Sequence, residues 1–160
     1  MSILFNDQDI ARLIQETKPL PSDFQARIQT RPKRGHKERE LDLSGSNGSD
    51  FRLVLRQSLL NTLDFSAILI YRPHKSNQLF RLRRYNGKSH EHTNPIEGHV
   101  FYDFHIHQAT QRYQEIGARE DTFAEPTDRF ADFQQALRCL FQDCGFEMPY
   151  DPQVKLFGEI

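Results

Sequence analysis

The sequence predicts an α+β fold: a mainly antiparallel sheet of five or six strands with an N-terminal helix and a C-terminal helix packed on one face. Three observations predict it. Apolar residues recur with helical period near both ends of the chain, the middle alternates apolar and polar with period two, and the strand-like runs are separated by turn residues rather than by crossover helices. The 160 residues suit one core, and 13 Phe with no Trp assign aromatic burial to Phe and Tyr. The expected organisation is a single domain over residues 1–160. It places a helix and basic loop in 1–37, the sheet in 38–108, a helical segment in 109–146 and a tail in 147–160.

Taken in order, "NDQDIARLIQET" offers Asn6 or Asp7 as an N-cap and sets Ile10, Leu13 and Ile14 on one face, until Pro19 and Pro21 stop the helix. Lys and Arg then cluster between Arg27 and Lys37 around Pro32 and Gly35, the chemistry of a solvated, positively charged loop. "ERELDLSG" and "DFRLVLRQS" alternate on either side of the turn "SGSNGSD", which is a hairpin. "DFSAILIYR" is more continuously apolar and suits a central strand, and "LFRLRRY" follows with Phe80 and Leu82 set against Leu79, Arg81 and Arg83. "HVFYDFHIHQ" reads as one more strand, with Val100, Tyr102, Phe104 and Ile106 facing one way and His99, Phe101, Asp103, His105 and His107 the other. Periodicity alone assigns Tyr102 and Phe104 equally to the core or to a homodimer face.

"ATQRYQEIG" predicts a short helix ending at Gly117, and "AREDTFAE" a loop. The clearest helix is "PTDRFADFQQALRCLFQDCGF", with Thr127 as N-cap, Asp128 in the first turn, a stripe of Phe130, Phe133, Leu137, Leu140 and Phe141, and Gly145 as its stop. Glu125 and Asp128 would then flank a helix N-terminus, as ordinary helix-start residues or beside backbone N–H groups that receive a phosphate. The tail "EMPYDPQVKLFGEI" suits a docked strand or a frayed end. Cys139 and Cys144 are the only cysteines, and on a helix their five-residue spacing sets the thiols about 140° apart, so both are expected reduced.

A net charge of −1 provides no global field toward nucleic acid or an anionic membrane, so a polyanion would have to use a local patch. The longest apolar run is the five residues "AILIY", and the first residues lack a signal-peptide pattern. The expected location is the cytoplasm, with no membrane partner.

The chemistry concentrates between His90 and Tyr113, which holds five of the seven histidines. Three readings are open. A His-x-His pair on a strand places two imidazoles about 7 Å apart on one face, so His90, His92, His105 and His107, with Glu91, Glu97 or Asp103 nearby, could hold Zn or another divalent metal. Alternatively no cofactor is needed: paired imidazoles act as base and acid on a phosphodiester while cations and a tyrosine hydroxyl stabilise the phosphorane. That reading takes His105 and His107 as the proton-transfer pair, His90 and His92 as auxiliary groups, and Arg83, Arg84, Lys88, Arg112 and Tyr113 as substrate contacts. In the third reading the histidines are polar-face side chains of a binding protein.

The order of these motifs resembles the TumE-like proteins. The resemblance covers Leu79 to Cys144 and rests on a basic strand ending Arg83 to Asn86, the His90 and His92 loop, the His105 and His107 strand and the Phe130 to Phe141 helix. It implies a small bacterial toxin encoded beside a DNA-binding antitoxin, with that antitoxin or another protein as partner and RNA as target. The chain departs from the family in having Asn86 where an Asp is usual, "SHEH" in place of a proline-led double histidine, and extra N-terminal length. A sister family of bacterial or phage proteins, or a non-catalytic antitoxin or phage-encoded inhibitor, fits the same residues.

Overall fold

The computed structural model describes residues 4–149. In chain order the elements are α1 (Asp7–Gln15), β1 (Lys18–Pro19), α2 (Phe24–Arg27), β2 (Arg31–Pro32), β3 (His36–Ser44), β4 (Asp50–Ser58), β5 (Phe65–Arg72), β6 (Phe80–Asn86), β7 (His92–Asn94), β8 (His99–Phe101), β9 (His105–Gln108), α3 (Gln111–Glu115), β10 (Ala124–Pro126), α4 (Phe133–Asp143) and β11 (Phe146–Glu147). The fold is α+β, and its main sheet runs β10-β9-β6-β5-β4-β3-β2 with every neighbouring pair antiparallel.

The sheet has seven strands rather than five or six because two short segments pair at its edges. Arg31–Pro32, expected as loop, lies against Lys37 and Glu38, and Ala124–Pro126, also expected as loop, lies against β9. Both carry a proline, which an edge strand tolerates because one side of its ladder needs no donor.

α1 starts where its cap predicts: the Asn6 side chain accepts from Asp9 N at 2.7 Å, and Ile10 and Ile14 are buried. The β3–β4 hairpin keeps the alternation, with Leu41, Phe51, Leu53 and Leu55 in the core. The core lies between one face of the sheet and the helices, where Phe133, Leu137, Leu140 and Phe141 of α4 meet Phe65, Leu69 and Tyr85. Among the described residues the helices near both termini pack on that core face, and the other face carries Arg56, Ser66, Arg84, His105 and His107.

Two boundaries differ from expectation. α4 begins at Phe133 with Asp132 as its cap, accepting from Gln135 N at 2.8 Å, and not at Thr127. Thr127 instead donates its backbone N–H to Phe104 O at 2.9 Å, which ties this segment to the sheet end and drops Phe130 into the core between Phe65, Tyr85 and Phe104. The single strand expected through residues 99–108 is two: β8 pairs with β7 in a separate hairpin, and only β9 joins the main sheet. Phe104 packs against the core, whereas Tyr102 is half exposed.

At the chain's far end β11 pairs in parallel with β1, so Phe146 and Glu147 are a docked strand, while tail residues 150–160 lie outside the described residues. Gly145 stops α4 at φ +73°, and a Cβ there would stand 2.7 Å from Glu16 O. Cys139 and Cys144 are free, buried thiols, and burial pushes Cys144 up to about 11. Among the described residues no helix is long and apolar enough to cross a membrane.

Candidate functional site

The open face of the sheet is organised in cross-strand rows. Arg56, Ser66, Asn86 and His105 are successive register partners on β4, β5, β6 and β9, and Arg84 is the partner of His107 one step along. Ile106, between the two histidines, turns to the core. Strand alternation thus delivers both imidazoles to the face opposite the hydrophobic layer.

They are nevertheless buried, because the β7–β8 hairpin folds over them. His92 lies nearly parallel to His105, with ring centroids 5.6 Å apart, and edge-on to His107 at 4.8 Å; Phe101 meets His105 at 5.6 Å. His105 and His107 are themselves 4.9 Å apart, and His90 closes on His105 at 5.9 Å. The hairpin is held at two points. Asn94, itself buried, donates to Ala124 O at 2.7 Å and accepts from Ala124 N at 3.0 Å, behaving as one more rung beside β10. In the turn, Glu97 receives the Tyr113 hydroxyl at 2.5 Å and two bonds from Arg112 at 3.0 and 2.7 Å.

The backbone fixes the tautomers of the inner pair. His105 Nδ1 faces Asp103 O at 2.8 Å and His107 Nδ1 faces Asp121 O at 2.8 Å. A carbonyl can only accept, so each Nδ1 carries the hydrogen and each Nε2 presents a lone pair. His105 Nε2 receives Asn86 Nδ2 at 3.4 Å, and Asn86 Oδ1 is held by the Ser66 hydroxyl at 2.8 Å. His107 Nε2 has no hydrogen-bond partner among the described residues. His107 lines a pocket of about 360 Å³ shared with Arg84, Asn86, His90, His92 and Arg119, whereas His105 lies behind it. The buried carboxylate of Asp121 accepts from Arg84 at 3.1 and 3.0 Å and from Arg119 at 2.8 Å, so one anion orients two guanidiniums at the pocket.

Burial lowers both inner imidazoles to about 4, and for His107 the neighbouring His105 adds to the effect. Both are therefore neutral at pH 7. An unfolded chain binds these protons near 6.5 and the folded chain only near 4, so acid favours the unfolded state. Their contribution to stability is intact above about pH 6.5 and is lost as pH falls toward 4. We expect a loss on the order of 5 kcal/mol between pH 7 and 4.5, about half from each histidine. Urea denaturation at the two pH values measures it, and a His105→Asn/His107→Gln variant should show a much smaller difference.

Of the residues singled out in the sequence, His90, His92, His105, His107 and Arg84 come together here. Arg83 does not. A register shift between Leu69 and Ile70 turns Arg83 to the helical face, where it lies 3.4 Å from the Tyr85 hydroxyl and 3.9 Å from Asp143 of α4. Arg112 and Tyr113 anchor the hairpin turn rather than line the pocket, and Lys88 stands 5.9 Å from the Tyr102 ring centre. The helix start expected beside Glu125 and Asp128, read as ordinary helix-start chemistry or as a phosphate site, does not form there, since α4 begins later; Glu125 instead accepts from Gln108 at 3.0 Å. Among the described residues no group of three or more His, Cys, Asp or Glu side chains is placed to hold a metal ion.

Sequence reasoning missed Asp121, Arg119, Asn86 and Ser66 as members of the site. Ser66 and Asn86 had a signal, being polar residues on the outward alternation of neighbouring strands. Arg119 and Asp121 sit in a connection where no periodicity applies. In comparisons with protein-family models, curated proteins and solved structures, the chain matches none.

Proposed function

We propose that the protein is a toxin-like agent of a toxin-antitoxin or phage-defence module that cleaves RNA by acid-base chemistry in the histidine pocket. The observation that carries this reading is the lone pair of His107 Nε2, held neutral and unpartnered beside two arginines. A neutral imidazole accepts a proton, and guanidiniums stabilise charge on a phosphorane. In this scheme Nε2 takes the proton of a ribose 2′-hydroxyl, the 2′-oxygen attacks phosphorus and the bond to the 5′-oxygen breaks. That leaving oxygen takes its proton from His90, which stands at the exposed rim as the general acid. The products are a 2′,3′-cyclic phosphate and a 5′-hydroxyl, and no metal enters the step.

The test is induced expression of the wild type and of a His105→Ala/His107→Ala variant, with growth and total RNA followed together. Growth arrest with RNA fragmentation, both lost in the variant, is the expected result. Arrest that persists in the variant, or no arrest at all, would return the histidines to a binding surface.

A second reading is favoured by a different observation. The β4–β5 turn exposes Leu59, Leu60 and Leu63, with Leu60 93% exposed, and the hairpin exposes Val100 and Tyr102. Apolar side chains grouped on a surface suit a protein partner. A non-catalytic module, or a toxin whose antitoxin docks here, would use them.

A further inference from the structure

We infer that the histidine pocket is one end of a longer arginine-flanked groove that takes single-stranded RNA across the strands, an inference that rests on the RNA reading above. A second concavity, on the β3 side and lined by Arg34 and His36, adjoins the pocket and shares Arg56, Asp64 and Ser66 with it. The two together cross β3, β4, β5, β6 and β9, which are consecutive in the sheet. Five strands span about 19 Å at roughly 4.8 Å per step, room for several backbone phosphates rather than one.

The charges along this path are arranged unequally. At the pocket end Arg84 and Arg119 are both committed to Asp121. At the other end Arg34 and Arg56 are exposed, and neither guanidinium has a hydrogen-bond or ion-pair partner among the described residues. The nearby carboxylate of Glu38 is taken by Lys33 at 2.7 Å. Arg56 faces Glu38 across the β3–β4 ladder and acts on that carboxylate only at a distance, so both arginines keep their hydrogen-bond donors for a polyanion's flanking phosphates. The β7–β8 hairpin walls the pocket with His92 over His107, so a single strand can bring a bond to Nε2 while a duplex meets the hairpin first.

The test uses the His107→Ala protein, in which the proposed cleavage is slowed, and measures anisotropy of a labelled single-stranded octanucleotide, a dinucleotide and a duplex over a salt series. The octanucleotide should bind more tightly than either of the others. In an added Arg34→Ala/Arg56→Ala pair the slope of log affinity against log salt should fall by about 1.4, at about 0.7 per phosphate contact for single strands. Arg12→Ala, on α1 at the helical side, should leave the slope unchanged. Equal affinity for dinucleotide and octanucleotide, an unchanged slope in the double variant, or an equal fall in Arg12→Ala would overturn the groove. So would no RNA binding with capture of an acidic peptide instead. The cleavage reading is scored separately, by RNA fragmentation in cells, so that it can stand when the groove falls.

Discussion

His107→Ala is expected to lower the proposed RNA cleavage by about 10²–10⁴-fold, the range that removal of a general base produces. His105→Ala should cost less. The two histidines share a strand and a face, but both nitrogens of His105 are engaged, by Asp103 O and Asn86 Nδ2, and its ring is fully buried. On the proposed reading His105 is a positioning residue, holding the strand and packing against His107, while His107 Nε2 meets the substrate. The pH profile separates these roles. Because burial holds His107 near 4, the base form is already present at pH 5, and the limb it sets should lie near pH 4 rather than 6.5. A rising limb centred near 6.5 would assign the base to a less buried group. In His105→Ala the desolvation and imidazole contact that depress His107 are both reduced, so that limb should move upward. A residue that merely stabilised the fold would lower the rate without moving it.

The largest effect on stability is expected at Lys18. Its side chain is fully buried, and Nζ lies 2.8 Å from Leu13 O, 2.9 Å from Ile14 O, 2.8 Å from Glu16 O and 2.7 Å from Cys144 O. One ammonium therefore closes the C-terminal ends of α1 and α4 together, 4.5 Å from the centre of the Phe51 ring. The Glu16 carboxylate does not reach it. That carboxylate is occupied by Asn47 N, Ser49 N and the Ser49 hydroxyl in the β3–β4 turn. Burial lowers Lys18 to about 8, which still leaves it protonated at neutral pH. Lys18→Met keeps the stem and removes the donors, leaving four carbonyls without their partner. We expect a loss of about 3–5 kcal/mol, because each unsatisfied buried acceptor costs about 1–3 kcal/mol and some will recover water. Equilibrium urea denaturation measures it, and a loss below about 1 kcal/mol would mean that packing of the stem, not the ammonium, holds this junction.

Neither residue's role is legible in its own neighbourhood of sequence. Lys18 stands in "KPLPSD", which reads only as a helix stop, and its partner Cys144 is 126 positions away. His107 is visible as one of a pair, yet what distinguishes it from His105 is the carbonyl of Asp121 behind it and the hairpin above. Arg83 and Arg84 show the same limit. They are adjacent and identical, so alternation sets them on opposite faces, and a single register shift in the pairing with β5 decides that Arg83 goes to α4 and Arg84 to the pocket. A bulge leaves no mark in the hydrophobic alternation when the residue it adds, here Leu82, is itself apolar and buried.

What the sequence determined by itself is whatever depends on neighbours a few residues apart. The Asn6 cap and the Ile10 and Ile14 stripe, the alternation of β3 to β6 and the Gly145 stop are all set by local backbone geometry and by which face must leave water. From these follow the α+β class, the antiparallel order and the delivery of His105 and His107 to the face opposite the core. The tertiary structure alone decided that residues 99–108 break into two strands, that Asn94 and Glu97 clamp the hairpin over the histidines, and that Asp121 gathers Arg84 and Arg119 beside them. Those outcomes depend on contacts between segments distant in the chain, where burial and unsatisfied backbone groups choose among pairings that are equivalent locally.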